Sequence, residues 1–96
     1  MTFTYPAVMR MLEDGTYEGY FPDLEGCRFR GGSLDETIDA AIAAEKDWIE
    51  VEMEEEEEQG SGVLMPFVSD VSDIPLKEGE FIRSIGVIMH FEVGYY

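Results

Sequence analysis

The chain is short of bases, of cysteine and of histidine. Of its 96 residues only six are Lys or Arg against 22 Asp or Glu, a net charge of −16. Such a surface repels phosphate backbones, because affinity for nucleic acid comes largely from Lys and Arg displacing counterions. DNA and RNA are therefore disfavoured as direct ligands, except at a local basic patch such as Arg28 and Arg30. The single cysteine, Cys27, excludes an intrachain disulfide framework. One cysteine and one histidine, His90, cannot make a structural zinc site unaided. No run approaches the roughly 20 apolar residues of a membrane helix. The opening Met1-Thr2-Phe3-Thr4-Tyr5-Pro6 has neither a basic start nor an apolar run, so no signal peptide is expected and the cytoplasm is the default compartment. Gly31-Gly32 and Gly60-Ser61-Gly62 lack the surroundings of a phosphate-binding loop.

What is abundant is acid, and it is uneven. Residues 1–44 carry 8 acids and 3 bases; residues 45–96 carry 14 and 3. A basic protein partner suits that field, since opposite potentials speed encounter and add specificity. Solubility alone is the other explanation. The length fits one domain, 1–96. At this size about 60–65% of the unfolded chain's surface is buried, so the core is thin and self-association, as a dimer or tetramer, is expected to support it.

Phe3, Tyr5, Ala7, Met9 and Met11 alternate with Thr4, Pro6, Val8 and Arg10, which predicts a strand with its odd positions inward. Pro6 lacks a ladder donor and belongs at a strand start or on an edge. Glu13-Asp14-Gly15-Thr16 predicts a hairpin with a two-residue type I′ turn. Tyr17, Gly19 and Phe21 continue inward on the return strand. Pro22-Asp23-Leu24-Glu25-Gly26 breaks it. Cys27, Phe29 and Gly31 form the inward side of a third strand, with Arg28 and Arg30 outward. Ser33-Leu34-Asp35-Glu36 is a capping box, Ser33 accepting from the Glu36 amide and the Glu36 carboxylate reaching back to the Ser33 amide. Leu34, Ile38, Ala41, Ile42, Trp48 and Ile49 follow at helical spacing. The run Glu54–Glu58 repels itself and sits at the negative end of the helix dipole, so the helix is expected to weaken near Met53. This divides the domain into a first part (1–53), an acidic linker and loop (54–80) and a C-terminal strand (81–96). Val63–Val68 is at best a short edge strand. In the last strand Phe81, Ile85, Val87, Met89, Phe91 and Val93 share one face; Ile82 and Ile88 give the other face some apolar character that could meet another subunit.

No catalytic cluster accompanies this pattern. His90 on a strand face reads as structural, and nothing places a base beside Cys27, whose inward phase favours a small buried residue over a nucleophile. The glutamates of the run point in all directions on a helix, unlike the converging oxygens of a calcium site. Asp23 and Glu25 flank a turn. Neither a metal nor a cofactor is expected, and the chain reads as a binder rather than an enzyme.

Tyr5-Pro6-Ala7-Val8, the Asp14-Gly15 hairpin, Phe21-Pro22-Asp23-Leu24-Glu25-Gly26-Cys27 and Gly32-Ser33-Leu34-Asp35-Glu36-Thr37 opening an Ala-rich helix with Trp48 together resemble the N-terminal domain of the HicB-like antitoxins, over about residues 5–57. The resemblance implies an α+β fold, β-β-β-α-β: a partial ribonuclease H-like antiparallel sheet of three to four strands with one main helix on one face. It implies a module that masks a small basic mRNA-cleaving toxin of HicA type, without a nuclease centre of its own. The C-terminal DNA-binding segment common in the family has no counterpart before Tyr96, so operator binding is not expected. Tyr5, Phe21, Pro22, Gly26, Cys27, Ser33 and Glu36 carry the motif and are expected to serve folding. Candidate partner contacts are Asp23, Leu24 and Glu25 in an exposed loop, with Glu50, Glu54 and Glu55 on the helix. Two alternatives stand beside this reading. One is a solitary relative that binds RNA weakly through Arg28 and Arg30. The other is a residual metal-dependent nuclease, which the lack of carboxylates at inward strand positions opposes.

Overall fold

The computed structural model describes residues 2–59 and 65–89, the last six helical residues by backbone alone. Strands β1 (Thr2–Met11), β2 (Tyr17–Tyr20) and β3 (Arg28–Gly31) precede helix α1 (Leu34–Gln59), a 3-10 turn (Val71–Asp73) and strand β4 (Glu80–Ile88). The strands form one antiparallel sheet in the order β3-β2-β1-β4. One main helix lies on one face, which is the expected α+β architecture.

The period of two sets this arrangement in the middle of β1. Met11, expected inward, is exposed, and Pro6 and Val8, expected outward, are buried. The strand's end runs past the helix, and its other face is covered at its centre by the segment leading into β4. Tyr5, Ala7 and Met9 of β1 are buried with Phe29 and Ile85 under Ala41 of α1. Val87 and Met89 bury with Ile49 further along the helix. Helix and sheet approach closely at Gly31, where an added Cβ would stand 2.5 Å from the Thr37 backbone nitrogen. The start of α1 is capped as the sequence implies on one side: the Glu36 amide donates to Ser33 Oγ at 3.1 Å. The return bond differs, because Glu36 Oε2 accepts from the Gly32 amide at 3.2 Å rather than from Ser33.

Four further expectations change. Pro6 sits inside β1, between β2 and β4 in strand order, and not on a sheet edge. The ladder explains it: β2 pairs only Val8–Met11, so at Pro6 only β4 flanks the strand. The hairpin is not type I′. Within the loop only Gly15 takes a positive φ (+88°), no described residue other than glycine does, and the Gly15 amide donates to the Leu12 carbonyl at 3.0 Å. The loop therefore spans Leu12 to Thr16, with Asp14 accepting from the Thr16 amide at 3.0 Å. Residues 65–68 form no strand; Val63 and Leu64 lie outside the described residues.

The helix, finally, does not weaken at Met53 but runs to Gln59. Glutamate is a good helix former. Three glutamate pairs that involve the run are four apart (Glu50–Glu54, Glu52–Glu56 and Glu54–Glu58), and each like-charge pair costs about 0.2–0.5 kcal/mol. That is too little to stop a helix already nucleated on the core. Of the last strand, Ile85, Val87 and Met89 take the inward face as expected; His90, Phe91 and Val93 lie outside the described residues.

Candidate functional site

The segment between β2 and β3 is closed by its own backbone. The Phe21 amide donates to the Cys27 carbonyl at 3.0 Å, and two tight turns inside it bond Leu24 to Phe21 at 3.2 Å and Cys27 to Leu24 at 3.0 Å. Gly26 takes the positive φ (+78°) that this double turn needs. Phe21 and Leu24 drop into the core beside Cys27, and Phe21 packs on Phe29 with ring centroids 5.4 Å apart. Of the motif residues, Phe21 and Cys27 are thus buried and Gly26 lies in the turn. Tyr5 belongs with them: it is buried, and its hydroxyl donates to the Pro66 carbonyl at 2.7 Å. Pro22 is exposed on the loop.

This corrects the expected contact set. Leu24 is fully buried and cannot meet a partner. Asp23 is half-buried and spent on Ser69: its Oδ2 accepts from the Ser69 amide at 2.8 Å, and its Oδ1 from the Ser69 hydroxyl. Of that triplet only Glu25 is exposed. Glu50 is exposed on α1 as expected, and the side chains of Glu54 and Glu55 lie outside the described residues.

What the fold does assemble is a groove. The loop and the middle of α1 enclose an open trough of about 550 Å³. Its floor is Cys27, Ala44, Trp48 and Val51, and its acids are Glu25, Asp47 and Glu52. Trp48 ties the two walls together, its indole Nε1 donating to the Glu25 carbonyl at 2.9 Å. Glu25, Asp47 and Glu52 form no ion pair with another described residue. Arg28 is the single base on the rim. Val51 is exposed although apolar, and so are Phe67 and Val68 on the segment that Asp23 holds. An apolar floor with an acidic rim can take a cationic, partly apolar side chain. Asp47, Trp48, Val51 and Glu52 escaped the sequence reading as a group. Helical phase places Trp48 on the inward stripe and does not tell which flank of α1 meets the loop.

Two buried titratable groups stand near each other here, Cys27 in the floor of the groove and Glu45 on the inward stripe of α1. Burial pushes the Cys27 thiol up to about 11, with the charges of Glu45 and Asp47 adding to it. The thiol is therefore protonated and a poor nucleophile at neutral pH. Glu45 is the feature the sequence did not disclose. It is 0% exposed, between Ala41 and Ile49 on the inward stripe, and neither carboxyl oxygen has a hydrogen-bond partner. Burial raises its pKa to about 8; the Tyr5 backbone amide opposes this without reaching hydrogen-bond geometry. Among the described residues no three metal-ligating side chains converge, and no helix is long and apolar enough to cross a membrane.

Arg28 and Arg30 are exposed on the sheet face away from α1, as their phase on β3 predicts.

No family model matches the chain, and no curated protein does. Among solved structures, it is similar to a chain of a structure described as a HicA3 and HicB3 toxin–antitoxin complex, with 26% identity, a TM-score of 0.57, and coverage of 85% of this chain and 94% of that one.

Proposed function

We propose that the chain is a non-catalytic module of a toxin–antitoxin system, of HicB type, which masks a small basic HicA-type protein. One observation carries this reading: the groove between the β2–β3 loop and α1, with Trp48 and Val51 in its floor and unpaired Glu25, Asp47 and Glu52 around it. The likeness to a chain of a HicA3–HicB3 complex supports the same reading. A cationic side chain entering the groove gains the indole face and two or three carboxylates, while the glutamates further along α1 attract it from a distance. Phe67, 96% exposed, is a second aromatic contact available to a partner. Self-association as a dimer or tetramer and a cytoplasmic location belong to this proposal.

The test is a calorimetric titration with a small basic HicA-type protein. Association at low ionic strength that weakens at least tenfold in Asp47→Lys and Glu52→Lys supports the proposal. Absence of binding at low salt removes it. Binding unchanged by either substitution moves the interface off the groove.

A further inference from the structure

The bases of this chain are not scattered. Arg10, Arg28, Arg30 and Lys77 account for four of the six, and the fold gathers them on the sheet face away from α1. The ladder fixes the layout. Val8 on β1 lies opposite Tyr20 on β2, and Tyr20 lies opposite Arg28 on β3. The next row runs Arg10, Glu18, Arg30. Lys77 and Glu80, from the segment entering β4, close one side of a cleft of about 340 Å³ over Val8 and Tyr20. That volume lies within the range of about 300–1,000 Å³ of small-molecule sites.

The charges in the cleft are of two kinds. Arg10 is already engaged, its Nη2 2.7 Å from Glu18 Oε1, and Glu80 Oε1 accepts from the Lys77 backbone amide at 2.7 Å. Arg28 and the Lys77 ammonium make no ion pair or side-chain hydrogen bond with another described residue. Two free cations therefore flank a half-exposed tyrosine above an apolar floor, in a protein whose surface is otherwise strongly acidic.

We propose that this cleft binds a phosphorylated nucleoside, the phosphate taken by Arg28 and Lys77 and the base stacked on Tyr20. Guanidinium and ammonium donors suit a phosphate monoester, and aromatic stacking is worth about 1–3 kcal/mol per base. A free mononucleotide and the terminal nucleotide of an RNA offer the same chemistry. A long strand does not, because its remaining phosphates would face the acidic surface. Arg28 also stands on the rim of the proposed partner groove, whereas Tyr20 and Lys77 line this cleft alone, so their substitutions separate the two sites.

Calorimetric or NMR titration of the intact chain with 5′-AMP tests the inference, with adenosine, inorganic phosphate and a short 5′-phosphorylated RNA as further arms. Affinity for 5′-AMP should exceed that for adenosine and for phosphate by tenfold or more. Arg28→Ala and Lys77→Ala should each weaken it at least tenfold, Lys77→Arg should largely retain it, and Tyr20→Leu should bring 5′-AMP down to the level of phosphate. Equal affinity for the phosphorylated RNA identifies the terminal nucleotide as an alternative source. Affinity that climbs with RNA length, no binding of 5′-AMP at millimolar concentration in low salt, or binding that Arg28→Ala and Lys77→Ala leave unchanged would each overturn the assignment.

Discussion

Glu45 makes the stability of this protein depend on pH in an unusual direction. Its carboxyl titrates near 8 in the folded chain because it is desolvated, against 4.5 when free. The folded state therefore holds the proton more tightly than the unfolded one. The stabilisation is complete below pH 4.5 and is lost as pH rises toward 8. Between those limits the loss is about 1.4 kcal/mol per pH unit. From pH 5 to pH 7 it comes to roughly 2.5 kcal/mol, a large share of a small domain's stability. General repulsion among 22 acids also grows with pH, so the wild-type curve alone does not isolate Glu45. The readout is the difference between wild type and Glu45→Gln, which keeps the shape and removes the titration. Urea unfolding followed by the fluorescence of Trp48, at pH 5, 6 and 7, should show the variant gaining about 2.5 kcal/mol relative to wild type across the range. With a slope near 1–1.5 kcal/mol per molar urea, the relative midpoint moves by about 2 M. Parallel curves would mean that Glu45 reaches water in the folded state, and the packing of α1 on β1 described above would be wrong.

Gly31→Ala drives a methyl group into the Thr37 backbone and should destabilise by about 1–3 kcal/mol in chemical denaturation. Tyr5→Phe removes the hydrogen bond to the Pro66 carbonyl; a loss of about 1 kcal/mol should lower the melting temperature by about 4–8 °C in calorimetry. The Cys27 thiol, buried and raised to about 11, should resist a thiol-specific chromogenic reagent at pH 8 and react at the rate of a free thiol once urea is added.

The sequence spelled out the elements because each depends on short-range physics. Alternation in β1 and β4, the Ser33 cap and the glycines of the turns act within a few residues, and the observed strands and helix start follow them. It also gave the phase of Cys27, Arg28 and Arg30, since side chains on a strand must alternate. Local pattern could not say which neighbour each surface meets. Leu24 reads as an exposed turn residue until the double turn folds it under α1. Asp23 reads as free until Ser69, 46 positions away, binds it. Glu45 reads as one acid among many on a helix; only docking of α1 on β1 strips it of water. The reach of α1 through the glutamates is likewise a tertiary matter, because a repulsion of tenths of a kcal/mol per pair does not stop a helix that the core anchors. Sequence alone thus determined the order of the strands and helix and the inward residues Tyr5, Ala7, Met9, Phe29, Ile85 and Val87. Tertiary structure decided which acids are free, which are buried, and where the few bases gather, because burial and charge proximity are set by contacts between segments far apart in the chain.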